Sequence, residues 1–167
     1  MNSIRSHLFK GARATELFPI FADVEAYPSF VPGLKSAKII ENYGNEYKTK
    51  IVMAFELGFF TFEEELDSLT RKTSPVGIEV FSTGSRFIRS FRNSWHFRDV
   101  PNGCDVEFKM NLDLATLPWI VRPMLAFLAE TQAEKILQAF VARVEALRLD
   151  ADVLNQDVAG SRERSSR

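Results

Sequence analysis

Glu63, Glu64 and Glu65 stand together in a stretch that otherwise carries Phe60, Phe62, Leu66 and Leu69. In an extended chain successive side chains face opposite ways, so Glu64 falls on the face of Phe60, Phe62 and Leu66. Carboxylates in dry surroundings hold their protons more tightly and serve as general acids or bases. A bulge, or an arginine partner from Arg86, Arg89 or Arg92, gives the same residue a structural role instead. Little else in the chain suits catalysis. The only histidines are His7 and His96 and the only cysteine is Cys104, with none of the ligand spacing a zinc or iron site uses. No phosphate-cradling glycine loop, dinucleotide-binding glycine pattern or nucleophile elbow occurs. The expectation is a protein with no catalytic residue, no metal and no catalytic cofactor.

The residues that stand out are suited to binding oil. Phenylalanine accounts for 15 of 167 residues, against 3 tyrosines and 2 tryptophans. Phe buries a large apolar surface and carries no polar tip to satisfy, which fits a plain core or a greasy pocket equally. Tyr27, Pro28, Phe30, Val31 and Pro32 combine flat aromatic faces with a backbone stiffened by two prolines. They make either a lip over a pocket or a connection packed on the core. Phe91, Asn93, Trp95 and Phe97 share one face of a strand pattern, with His96 on the other. A tryptophan there either donates its indole N–H to a ligand carbonyl or packs against a covering helix.

These residues need elements to position them. Ile4–Lys10 reads as a short strand. Thr15–Ala22 reads as a short helix limited by Pro19, and Val24–Pro32 as a second short helix or turn. The next stretch is rich in strands: Lys35–Tyr43 and Glu46–Leu57 around Gly44-Asn45, then Phe59–Arg71 and Ile78–Ser82. Arg89–Asp99 and Asp105–Leu114 follow around Pro101-Asn102-Gly103. Short turns between strands mean an antiparallel meander. Leu117–Leu149 carries Leu125, Ala129, Ala133, Ile136, Leu137, Phe140, Val144 and Leu147 at three- and four-residue steps, one apolar stripe of a long helix. The predicted fold is α+β: a curved antiparallel sheet of six or seven strands wrapped around that helix, with an apolar gap between them. One domain spans 1–149. Residues 150–167 are too polar to bury and read as a disordered tail.

The segment DVEAYPSFVP at 23–32 resembles the signature of the coenzyme Q-binding proteins of the START-like, polyketide-cyclase-like superfamily. Asn93-Ser94-Trp95-His96-Phe97 and Ala139-Phe140-Val141-Ala142-Arg143 agree with it, and the likeness runs from about Ser3 to Leu147. It implies a helix-grip fold and non-catalytic binding and delivery of an isoprenoid lipid, ubiquinone above all, in support of respiration. The ligand-binding residues expected on this basis are Tyr27, Phe30, Val31, Pro32, Phe60, Phe62, Phe87, Phe91, Trp95, Phe97, Leu125, Leu128 and Phe140. The superfamily also contains polyketide cyclases and aromatases and a branch linked to ribosomes, which are the alternatives. Two departures lie near the expected mouth: Gly33-Leu34 where the family often has Trp after Val-Pro, and Gly84-Ser85-Arg86-Phe87 where it often has Gly-Pro-Phe.

Net charge is −1, from 21 basic and 22 acidic residues, so no basic field draws nucleic acid. A single cysteine suits a reducing compartment. With the resemblance, that implies a bacterial cytoplasm beside the inner membrane, or the matrix side of a mitochondrion. No apolar run reaches the roughly 18 to 20 residues needed to span a bilayer. Trp119, Ile120, Val121, Met124, Leu125, Phe127 and Leu128 nonetheless surround the start of the last helix on almost every side. Transient membrane docking, burial under the Tyr27–Pro32 segment and a dimer interface all fit that pattern. Under the docking reading, Trp119→Ala with Phe127→Ala lowers liposome association in flotation; unchanged association removes that reading.

Overall fold

The computed structural model describes residues 2–57, 60–83, 88–113 and 122–164. Within these, side chains are described except at 55–57, 60–62, 83, 122–130 and 153–164. The chain runs β1 (Asn2–Lys10), α1 (Ala14–Ala22), a 3-10 helix (Val24–Ser29), β2 (Leu34–Asn42), β3 (Glu46–Leu57), β4 (Phe60–Thr73), β5 (Gly77–Thr83), β6 (Ser90–Val100), β7 (Gly103–Asp113) and α2 (Arg122–Arg164). All seven strands belong to one antiparallel sheet in the order β1-β7-β6-β5-β4-β3-β2.

That order places β1 and β2 at opposite edges, so the connection between them must cross the sheet. The crossing is made by α1 and the 3-10 helix. α1 buries Ala14, Leu17, Phe18 and Phe21. Its start is held by the Asp99 carboxylate at the far end of β6, which accepts a bond from the Ala14 N–H at 2.8 Å. Glu16 accepts from the Arg13 N–H at 3.0 Å, satisfying another of the donors that a helix start leaves free. Gly33 then turns the chain into β2 with φ +80°, and its carbonyl accepts from the Ala54 N–H at 2.7 Å. A Cβ at Gly33 would sit 3.0 Å from the Ala54 carbonyl. A side chain at this position would be strained by the positive φ and crowded against the Ala54 carbonyl.

The strands alternate as their side chains demand. Phe91, Asn93, Trp95 and Phe97 of β6 pair with Leu112, Met110, Phe108 and Val106 of β7 on the face beneath the helices. Arg92, Ser94, His96 and Arg98 face the other way, where cross-strand ion pairs such as Arg98–Asp105 at 2.7 Å and Lys50–Glu65 at 2.9 Å lie. β4 pairs with β3 without a register break, so Glu63, Glu64 and Glu65 alternate strictly. Glu64 opposes Met53 on the inner face and is 6% exposed, whereas Glu63 and Glu65 are exposed. No bulge redirects it.

α2 packs Ala133, Leu137, Phe140, Val141 and Val144 against the inner face. Arg5–Glu134 at 3.1 Å and a bond from Arg148 to the Lys10 carbonyl at 3.0 Å tie the helix to the edge strand β1. The helix does not stop where sequence composition predicts a disordered tail: it continues past Asp150 to Arg164. Residues 148–152 are all exposed. Extending a formed helix by one residue costs far less than starting one, and Ala151, Leu154, Gln156 and Ala159 are adequate helix formers. The expected start at 117–121, with its Thr116 cap, lies outside the described residues.

Candidate functional site

The inner face of the sheet, the crossing segment and α2 enclose a hollow of about 80 Å³. Val24, Tyr27 and Val31 form one wall, and Ile136 and Phe140 the roof. The sheet supplies Tyr47, Ile51, Met53, Thr70, Ile78, Val80, Phe91, Asn93, Trp95 and Phe108. An empty cavity of roughly 150 Å³ holds one benzene ring, so a ring-headed guest needs more room than this hollow provides. The wall has compliant parts: Ile51, Met53 and Ile136 are only half-buried, and methionine repacks readily. A broader groove of about 350 Å³ lies across β1, β5, β6 and β7, but its Glu79, Arg92 and Lys109 are exposed and charged and offer an oily ligand no dry wall.

Phe140 joins the walls. Its ring stacks on Phe21 of α1 at 4.4 Å and meets Trp95 at 4.8 Å, Tyr27 at 5.0 Å and Phe30 at 5.0 Å. Trp95 in turn stacks on Phe108 at 4.1 Å. The Arg143 guanidinium lies 5.7 Å above the Phe30 ring, one turn along α2. Within the Tyr27–Pro32 segment, Tyr27 and Val31 pack on the core and line the hollow.

Tyr27, Val31, Phe91, Trp95 and Phe140 line the hollow. Phe30 and Phe97 pack in the core beside it, and Pro32 is exposed. The side chains of Phe60, Phe62, Leu125 and Leu128, and Phe87 altogether, lie outside the described residues. Sequence reasoning passed over the polar part of the inner face: Tyr47, Thr49, Ser68, Thr70 and Ser82. Alternation from Ile51 along β3, from Leu66 along β4 and from Ile78 along β5 assigns these residues to that face. Their types, common on wet surfaces, give no sign that the face is dry.

Two tyrosines complete the end of the hollow. Tyr27 donates its hydroxyl to the Phe21 carbonyl, and Tyr47 donates to the Ala22 carbonyl at 3.2 Å. These are the last carbonyls of α1, which a helix end leaves without partners. Burial pushes the Tyr27 phenol well above its ordinary 10.0, with Tyr47 and Asp23 adding to the rise. Burial also raises Tyr47, opposed by a hydrogen bond with Thr70 and aided by Asp23. Cys104, on β7 opposite Phe9 of β1, is buried, and burial raises its thiol.

Glu64 finds no arginine partner among the described residues. Arg89 lies 3.8 Å from Asp113, and Arg92 sits over the Phe81 ring on the outer face. Among the described residues no three His, Cys, Asp or Glu side chains gather to hold a metal, and no helix is long and apolar enough to cross a membrane.

A curved seven-stranded antiparallel sheet gripping a long C-terminal helix, with an apolar hollow between them, defines the START-like helix-grip class. The chain belongs to the polyketide cyclase/dehydrase and lipid transport family, whose pattern matches residues 11–141. It is 22% identical over 111 residues to the mitochondrial coenzyme Q-binding protein COQ10 of Drosophila melanogaster, an alignment covering 64% of this chain and 44% of that one. The chain thus spans less than half the length of that relative. Among solved structures, a START superfamily protein from Mycobacterium smegmatis superposes with a TM-score of 0.68 at 17% identity, covering 88% of this chain and 97% of the other. The Zhui aromatase/cyclase from Streptomyces sp. R1128 superposes with a TM-score of 0.70 at 12% identity, covering 87% and 94%.

The raised tyrosines set a direction for pH dependence. The folded chain keeps phenolic protons that the unfolded chain loses above about pH 10, so stability is full below that pH and declines above it. Each such tyrosine contributes a decline of at most about 1.4 kcal/mol per pH unit. In urea unfolding, Tyr27→Phe is expected to flatten the alkaline decline while lowering neutral stability by about 1 kcal/mol through the lost bond. An alkaline slope identical to wild type contradicts the assignment.

Proposed function

We propose that the protein binds and delivers an isoprenoid lipid, with ubiquinone the leading candidate, and catalyses no reaction on it. The observation that carries this reading is the apolar hollow beneath Phe140, walled by Trp95, Phe91 and Tyr27 and enclosed by sheet, crossing segment and α2. Flat aromatic walls suit a quinone ring, and removing such a ring and its tail from water supplies the driving force, about 25 cal/mol for each Å² buried. The similarity to a coenzyme Q-binding protein supports the same ligand. The thirteen residues expected from the sequence are retained as its proposed contacts: Tyr27, Val31, Phe91, Trp95 and Phe140 on the lining of the hollow, Phe30 and Phe97 in the core beside it, the exposed Pro32, and Phe60, Phe62, Phe87, Leu125 and Leu128. The protein works beside a membrane, touching it transiently through Trp119–Leu128, and residues 1–149 form the binding domain.

One observation favours a cyclase-type enzyme instead: Glu64 faces inward and is buried. It stands opposite Met53, and the groups nearer the hollow are hydroxyls and an amide, which bond to a substrate but hold their protons at neutral pH. The test is organic extraction of protein purified from its native source, followed by mass spectrometry. Binding predicts a quinone recovered at near one per chain. An empty protein that also refuses added ubiquinone, yet turns over a polyketide and loses turnover in Glu64→Gln, establishes the enzyme.

A further inference from the structure

Among the described residues, two buried side-chain oxygens have no hydrogen-bond partner: those of Ser3 and Thr49. Ser3 lies on the edge strand beside the outer groove. Thr49 is different. It is fully buried and stands on the inner face of β3 between Tyr47 and Ile51, both of which line the hollow. Leaving a buried hydroxyl unpaired costs about 1 to 3 kcal/mol, so the fold is carrying a penalty just behind the wall of its own cavity, whose lining holds Tyr47 and Ile51 but not Thr49 itself. The neighbours extend the pattern. Thr49 pairs across the sheet with Ser68, and Ser68 with Ser82, whose hydroxyls lie 2.6 Å apart. That pair has two hydroxyl protons and uses one between them, so one remains to donate. Asn93 brings an amide to the same wall from β6.

Resting on the lipid-binding reading, we propose that this polar patch is a head-group subsite that selects a neutral lipid whose head carries carbonyl or ether oxygens, with the Thr49 hydroxyl donating to one of them. The patch contributes donors, and none of its members is a cation. An oxygen acceptor pairs there, whereas a carboxylate or phosphate would enter a dry wall without the charge partner that its burial requires. The head then lies against β3–β5, and the apolar tail runs toward the compliant side formed by Ile51, Met53 and Ile136.

The probes are decylubiquinone and decylbenzene, which share an alkyl chain on a ring, with and without ring oxygens. The readout is quenching or shift of tryptophan fluorescence in the full chain. The expected result is at least tenfold tighter binding of the quinone. Thr49→Val is expected to weaken the quinone about three- to tenfold, as loss of one neutral hydrogen bond does, and to leave decylbenzene unchanged. The same variant unfolds at equal or higher urea concentration than wild type, because it removes an unpaired polar group; a residue with a merely structural role would not separate these readouts. Thr49→Ser retains the affinity, and Asn93→Leu lowers it, which keeps the proposal open to test if one variant folds poorly. Equal binding of both probes, unaffected by Thr49→Val, overturns the head-group subsite and leaves lipid binding standing. Binding of neither probe overturns both.

Discussion

The stacking of Phe140 on Phe21 is the contact on which the interior depends. The two strands at the sheet edges, β1 and β2, are consecutive in sequence, so α1 and the 3-10 helix must cross the concave face. α2 must cover the same face. Without a shared anchor these segments would compete for the same wall. Phe140 supplies the anchor by touching α1 through Phe21, the crossing segment through Tyr27 and Phe30, and the sheet through Trp95. Aromatic contacts of this kind are worth about 0.5–1.5 kcal/mol each beyond their buried area, so four on one ring hold the roof firmly at one point. Away from that ring the packing is looser, and the half-buried Ile51, Met53 and Ile136 are where space for a guest is cheapest to make.

The polar groups inside the shell divide into two kinds. Tyr27 and Tyr47 close off the carbonyl end of α1, and their hydroxyls are spent on the protein itself. Thr49 is spent on nothing within the fold. A fully apolar inner face would pack more stably and would bind any oil. A buried hydroxyl without a partner costs stability, and under the head-group proposal a guest with a matching oxygen recovers it. Under the proposed reading hydroxyls and an amide orient a head group, while Glu64 stands further along β4.

Much of this architecture is legible in the residues. Gly44-Asn45 and Pro101-Asn102-Gly103 mark hairpins, alternation through Phe91–Phe97 identifies the inner face, and the Ala133–Val144 stripe identifies the covering helix. Alternation also places Glu64 inward, as the register of β4 has it. Local patterns do not specify which strands become neighbours, so the pairing of β1 with β7, and the crossing it forces, emerges only in three dimensions. The same limit hides the local role of Gly33, whose positive φ and close approach to Ala54 make the turn into β2. Thr49, Ser68 and Ser82 are silent in sequence because serine and threonine are equally at home on a wet face, and burial depends on what lies above them. The helix runs on past Asp150 despite the polar composition there, since helix propagation needs no core.

The central claim is that an oily guest lodges beneath Phe140, and methyl NMR tests it most directly. With isoleucine, valine and methionine methyls labelled, addition of decylubiquinone is predicted to shift Ile51, Met53, Val80 and Ile136, while the exposed Ile4, Ile40 and Val76 stay in place. Shifts confined to those exposed methyls, with the four interior ones unmoved, would contradict the account.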